Sequence, residues 1–267
     1  MPLSVCNHKC ERCVGPSITL RKRQFDMRKL AMVLGTAGLA GIAAMAWAEL
    51  PAGSHNQAVG STSPVVVELF QSQGCSDCPP AQQNLNTLAD RPDVLALSFG
   101  VTYWDYLGWK DSFASPQFTD RQRDYSARNN GIGVATPQYW INGRKTVLGA
   151  NPSAVSQAIA QGGPSGGPTI AITRDRATLG GGHAPAGGAD VWLVRYDPRT
   201  IQVAIRAGEN GGRTIPHRGI VRSLTRIGHW AGGPQSLSIP AEAIPGLQTA
   251  ILVQAGRGGP ILAAAKG

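Results

Sequence analysis

Charge is scarce in this chain: only 15% of its 267 residues are Asp, Glu, Lys or Arg, against 42% hydrophobic. That balance excludes a wholly disordered polymer, which has too little apolar surface to offset its ordering entropy. Cysteine is scarcer, with five in all, and methionine numbers four, none of them beyond Met45. No Ser–His–Asp arrangement, metalloprotease motif or internal repeat is visible, so the common hydrolase classes have no candidate residues. The 34 Gly and 19 Pro make a turn-rich chain, but without the Gly-X-Y period of collagen. At roughly 150 residues per domain, the length allows one large domain or two small ones.

The net charge of +9 points at first to nucleic acid or a membrane surface. Seven of the basic residues, however, lie before position 49. There Met27-Arg28-Lys29, an apolar run from Leu30 to Met45 and the small-residue site Ala46-Trp47-Ala48 make the three parts of a secretory signal peptide. Cleavage is expected before Glu49, leaving 18 basic and 14 acidic residues, a net +4 over 219 residues. A nucleic-acid partner is then not expected. The apolar run falls short of the roughly 20 residues a membrane helix needs, so the reading is a periplasmic or secreted chain with no stable span. Cys6, Cys10 and Cys13, with His8, lie upstream of this signal. A cluster without a second ligand pair is a weak zinc pattern, and residues 1–26 read as sequence ahead of the true start. No metal or cofactor is expected.

Residues 49–63 are small and polar and read as a flexible leader. Pro64 to Phe70 is a β-branched run bounded by turn residues, a buried strand. Cys75-Ser-Asp-Cys78 follows, then two prolines and Ala81, Leu85, Leu88 and Ala89 at helical spacing. Prolines suit a first helical turn, whose N–H groups have no partners in the helix. Val94 to Phe99 reads as a second strand. Residues 100–130 form an insertion dense in aromatics, among them Tyr103, Trp104 and Trp109, ending in a helix from Ser115-Pro116 to Arg128. Residues 131–149 read as two strands about an Asn-Gly turn, and Pro152 to Gln161 as a last helix. A Gly/Pro linker at 162–168 separates this 64–161 unit from a β-rich region at 169–267, expected as a small sandwich or sheet.

With export, the mature chain keeps only Cys75 and Cys78. A structural disulfide is one reading, but a bridge over two residues closes a tiny loop and gains little. At a helix N-terminus the same spacing has another use. Backbone N–H groups and the dipole favour a thiolate at Cys75, and Cys78 one turn on can resolve the mixed disulfide it forms. Metal binding, copper above all, is the third reading, although no His or Met stands near in sequence.

Residues 133–143, GVATPQYWING, resemble the thioredoxin-fold signature in which the Thr136–Pro137 peptide is cis and lies beside the cysteines. The resemblance extends further. VVVELFQSQGCSDCPPAQQNLNTLADRPDVLALSF, YWDYLGWKDSFASPQFTDRQRDYSAR, TPQYWING, VWLVRYDP and GENGGRTIPH together resemble the secreted bacterial family named domain of unknown function 1223. It implies an α/β, thioredoxin-like domain with an aromatic-rich insertion, followed by a C-terminal β-rich extension. The family's substrate is unassigned; the cysteine pair at a helix start gives thiol–disulfide exchange with protein or peptide thiols and disulfides as the expected activity, Thr136 and Pro137 holding the substrate in line. A binding module carrying a static disulfide, or a copper carrier, are the alternatives. Gly74 stands where thioredoxins usually carry Trp, and Gly100-Val101-Thr102 where the family often has His-Val-Asp.

Glu68 sits mid-strand in phase with Val66 and Phe70; if buried behind the cysteines it would take the proton of Cys78. Asp77 reads as the cap of the following helix, despite disfavouring a nearby thiolate. Tyr103, Trp104 and Trp109 read either as a peptide-binding rim or as a satellite core. His217 and His229 have no ligand partners at suitable spacing, and residues 209–212 read as a plain turn.

Overall fold

The computed structural model describes residues 63–163 and 166–267. The expected signal peptide, the cysteine cluster at 6–13 and nearly all of the segment read as a leader lie outside the described residues. The fold is a mixed α/β, strand-rich one. Strand β1 (Val65–Gln71), helix α1 (Cys78–Leu88) and β2 (Val94–Gly100) follow in order, then α2 (Pro116–Arg128), β3 (Gln138–Ile141), β4 (Lys145–Leu148) and α3 (Pro152–Ala160). Each of the three helices has proline in its first turn. Ser115 caps α2 by accepting from Gln117 N–H, and Asn151 caps α3 by accepting from Ser153 and Ala154. Asp77 stands at the α1 cap position, but its side chain caps nothing, contrary to expectation: its backbone is already helical, whereas a capping residue is normally extended.

Nine strands follow: β5 (Ile170–Ile172), β6 (Arg176–Leu179), β7 (Ala189–Asp197), β8 (Ile201–Ala204), β9 (Thr214–His217), β10 (Ile220–Trp230), β11 (Gln235–Ser238), β12 (Gln248–Gln254) and β13 (Ile261–Lys266). They do not stand apart as a separate sandwich. The main sheet has eight strands in the order β13-β12-β7-β10-β2-β1-β3-β4. Every residue of β2 is buried, so its edge cannot face water. The C-terminal strands close it: β10 pairs in parallel with β2 at Ile220 and Ser98, where Ser98 N–H donates to the Gly219 carbonyl at 2.7 Å. The break at 162–168 therefore separates two stretches of sequence within one body.

Side chains alternate across the sheet. Val66, Phe70, Leu97 and Phe99 share one face with Tyr125 of α2 and with Val194 and Leu252 from the C-terminal strands. Val67, Leu69, Ala96 and Tyr139 face the other way, against Ala81 and Leu85 of α1 and Val155 of α3. Further along that second face, the three-stranded sheet β11-β6-β5 covers Val191, Leu193 and Ile251. The hairpin β8–β9 lies along α1, where Asn86 donates to the Pro216 carbonyl and accepts from Arg218 N–H, both at 2.9 Å.

Candidate functional site

Cys75 and Cys78 sit where β1 ends and α1 begins, both free thiols and both buried, at 2% and 1% exposure. The turn between them is held by Cys75 N–H on the Ser72 carbonyl and Cys78 N–H on the Cys75 carbonyl, each at 3.2 Å. The Thr136–Pro137 peptide is cis, as its sequence context predicts, and the Thr136 carbonyl oxygen faces Cys75 Sγ at 3.6 Å. Thr136 is held in turn by Trp104, whose indole N–H donates to Oγ1 at 2.7 Å. The structure thus brings Cys75, Cys78, Thr136, Pro137 and Trp104 together from three segments of chain.

The two thiols are unequal. A hydrogen bond from the Cys78 thiol lowers Cys75 to about 7, outweighing burial, with help from Thr136 and the amides of Asp77 and Cys78. Burial, then the hydrogen bond to Cys75 and the charge it carries, pushes Cys78 well above an ordinary thiol. One proton shared between two sulfurs leaves the negative charge on Cys75.

Glu68 is not brought to the thiols. It is fully buried, but on the α2 face, opposite α1. Arg121 Nε donates to its Oε1 at 2.8 Å, and the Tyr125 hydroxyl donates to its Oε2. Arg121 also reaches Gln254 of β12 at 3.0 Å. Contrary to the expectation that Glu68 serves Cys78, strand alternation turns its carboxyl, with Val66 and Phe70, to the α2 side, six residues of strand and turn before Cys75.

Tyr103 and Trp104 are half-buried against the α2-side core, and Tyr103 donates to Gln122 at 3.1 Å. Burial lifts the Tyr103 phenol to about 12, so it stays a donor. Trp109 braces the cysteine turn instead, donating to Gln73 Oε1 at 2.9 Å. Gln73 N–H donates to Asp111 at 2.8 Å, and burial raises that carboxyl to about 6.

Five residues around the cysteine turn had no role in the sequence reading. Asp111 and Gln73 have no spacing signal. Residues 209–212, read as a plain turn, form the tip of the β8–β9 hairpin and touch the cysteine turn: Glu209 accepts from Ser76 N–H, and Asn210 donates to the Gln73 and Cys75 carbonyls. Their only signal was membership of the GENGGRTIPH segment. His217 is buried, its Nδ1 3.0 Å from the Ile215 carbonyl oxygen, and it lines a narrow crevice with Cys78, Ser72 and Gln82. Burial lowers it to about 4, so it is neutral there. Among the described residues, no three His, Cys, Asp or Glu side chains converge as metal ligands, and no helix is long and apolar enough to cross a membrane.

The family described as "Protein of unknown function (DUF1223)" matches residues 66–254, and the chain belongs to it. The crystal structure of protein AGR_C_4864 from Agrobacterium tumefaciens is similar, with 30% identity and a TM-score of 0.66, over 77% of this chain and 94% of that one. HBP35 of Porphyromonas gingivalis is 13% identical with a TM-score of 0.49, over 77% of this chain and 75% of that one. No curated protein matches.

Proposed function

We propose that the protein is a thioredoxin-like thiol–disulfide exchange protein of an oxidising, extracytoplasmic compartment, acting on protein or peptide thiols and disulfides. The observation that carries this reading is Cys75 Sγ set against the Thr136 carbonyl of a cis-proline loop, with Cys78 one turn behind it. The order β1-α1-β2, then an antiparallel β3–β4 pair and α3, is that of a thioredoxin core and supports the fold reading. The inequality of the thiols supports the assignment of roles.

The chemistry needs no cofactor. The Cys75 thiolate attacks one sulfur of a substrate disulfide, forming a mixed disulfide and releasing the other sulfur as a thiolate, which takes up a proton. Cys78 then loses its proton to solvent or to the departing sulfur and attacks Cys75 Sγ. The substrate leaves as a dithiol, reduced by two electrons, and Cys75–Cys78 is left as the oxidised disulfide. The reverse sequence oxidises a substrate dithiol. Equilibration in glutathione buffers tests the reading: the pair should pass reversibly between dithiol and disulfide as a two-electron couple within the buffered range. A pair fixed in one state across the whole range would mark a static structural feature instead.

A further inference from the structure

The tip of the β8–β9 hairpin reaches the cysteine turn from more than 130 residues away in sequence. Asn210 is fully buried and donates to two carbonyls that bracket Gly74 and Cys75, those of Gln73 at 2.9 Å and Cys75 at 2.7 Å. Its own carbonyl accepts from Arg213 at 2.6 Å, which fixes which end of the amide faces the turn. Next to it Glu209, exposed to solvent, accepts from Ser76 N–H at 2.9 Å. That amide belongs to the residue directly after the nucleophile. In an unlatched turn it would be free to point at the thiolate, as N–H groups do at the head of a helix. Cys75 N–H is already spent on Ser72.

We propose that Asn210 and Glu209 are positioning residues for the Cys75 thiolate. Asn210 locks the turn in register with the Thr136 loop, and Glu209 restrains the acidity of Cys75 by taking the Ser76 amide and holding a negative charge at the residue next to the nucleophile. The inference rests on the exchange reading of the site. It assigns the C-terminal strands a role in the chemistry: they carry a latch that sets how readily the thiolate forms. Asn210 and Glu209 act in opposite senses. The first holds the sulfur where a substrate disulfide can meet it, and the second keeps the thiolate from becoming too stable to attack.

Two variants of the full chain separate the parts. Glu209→Gln keeps an acceptor for Ser76 N–H but removes the charge, so the pH profile of Cys75 alkylation should move to lower pH. Below the midpoint, the rate of labelling should rise by about threefold, the size expected of one screened charge at close range. Asn210→Asp has the same shape, but it turns a donor into an acceptor facing two carbonyls. Amide deuterium uptake over residues 73–76 should rise at least about tenfold, as two buried hydrogen bonds are lost, and the alkylation profile should move to higher pH. An unmoved alkylation profile in Glu209→Gln, or unchanged uptake in Asn210→Asp, overturns the latch. Uptake is independent of redox chemistry, so it still decides the latch if wild-type Cys75 titrates as an ordinary thiol and the exchange reading itself fails.

Discussion

Glu68 and Arg121 are a buried ion pair at 0% and 7% exposure, and their place in the molecule is structural. Breaking such a pair leaves one charge buried and unpaired, at a cost of about 3–5 kcal/mol. Glu68→Gln should therefore lower the unfolding free energy by an amount in that range, while the pH profile of Cys75 alkylation stays where it is. A shifted profile at unchanged stability would restore Glu68 to the thiol chemistry. Burial of Asp111 and of His217 gives stability two pH dependences of opposite sign. His217 is lowered to about 4, so its stabilising contribution is full above the unfolded value near 6.5 and is lost as pH falls toward 4. Asp111 is raised to about 6, so its contribution is full below 3.8 and is lost as pH rises toward 6. Each spans roughly 3 kcal/mol at about 1.4 kcal/mol per unit, and they nearly cancel in the native chain. His217→Asn should expose the Asp111 limb: in urea unfolding, the variant should gain stability on going from pH 7 to 4.5, relative to the native chain. Parallel pH dependences would refute the assignment. The cysteine pair, Thr136–Pro137 and the cap at Ser115 were legible as sequence because each is a local pattern with a local cause. The burial of His217 and the reach of Asn210 were not, because they depend on which distant strand lies alongside.

At the scale of elements, the seam between β2 and β10 joins the two stretches of chain that the linker separates. It turns on Gly219, at φ +65°, where an added Cβ would stand 2.5 Å from the Ala96 carbonyl oxygen. Both the conformation and the space exclude a side chain. Gly219→Ala should cost about 2–4 kcal/mol and lower the melting temperature of the whole chain in one transition. A separate early transition, with the Cys75 region still folded, would mean the two stretches are independent after all. A second close approach explains Gly100, whose added Cβ would lie 2.8 Å from Ala114 N. The individual strands were readable from alternation and β-branching, except for short β6 and β9. The pairing of β10 with β2 was not, since strand pattern gives the faces of a strand but not its neighbour.

The described residues are built around one eight-stranded sheet, and the C-terminal half of the chain supplies both the strand beside β2 and the hairpin over the cysteine turn. The α2-side core draws on residues from Val66 to Ala264, so the thiol site and the C-terminal strands stand or fall together. The exchange reading makes one covalent demand on this body. Cys78→Ser removes the resolving thiol but leaves the nucleophile at the head of α1. Mixed with a disulfide-bonded peptide at pH 7, this variant should accumulate a mixed disulfide at Cys75, seen by mass spectrometry as one peptide-sized adduct, whereas native protein returns free peptide thiols and its own Cys75–Cys78 disulfide. No adduct on the variant, with the native pair still reduced after the same incubation, would contradict the account.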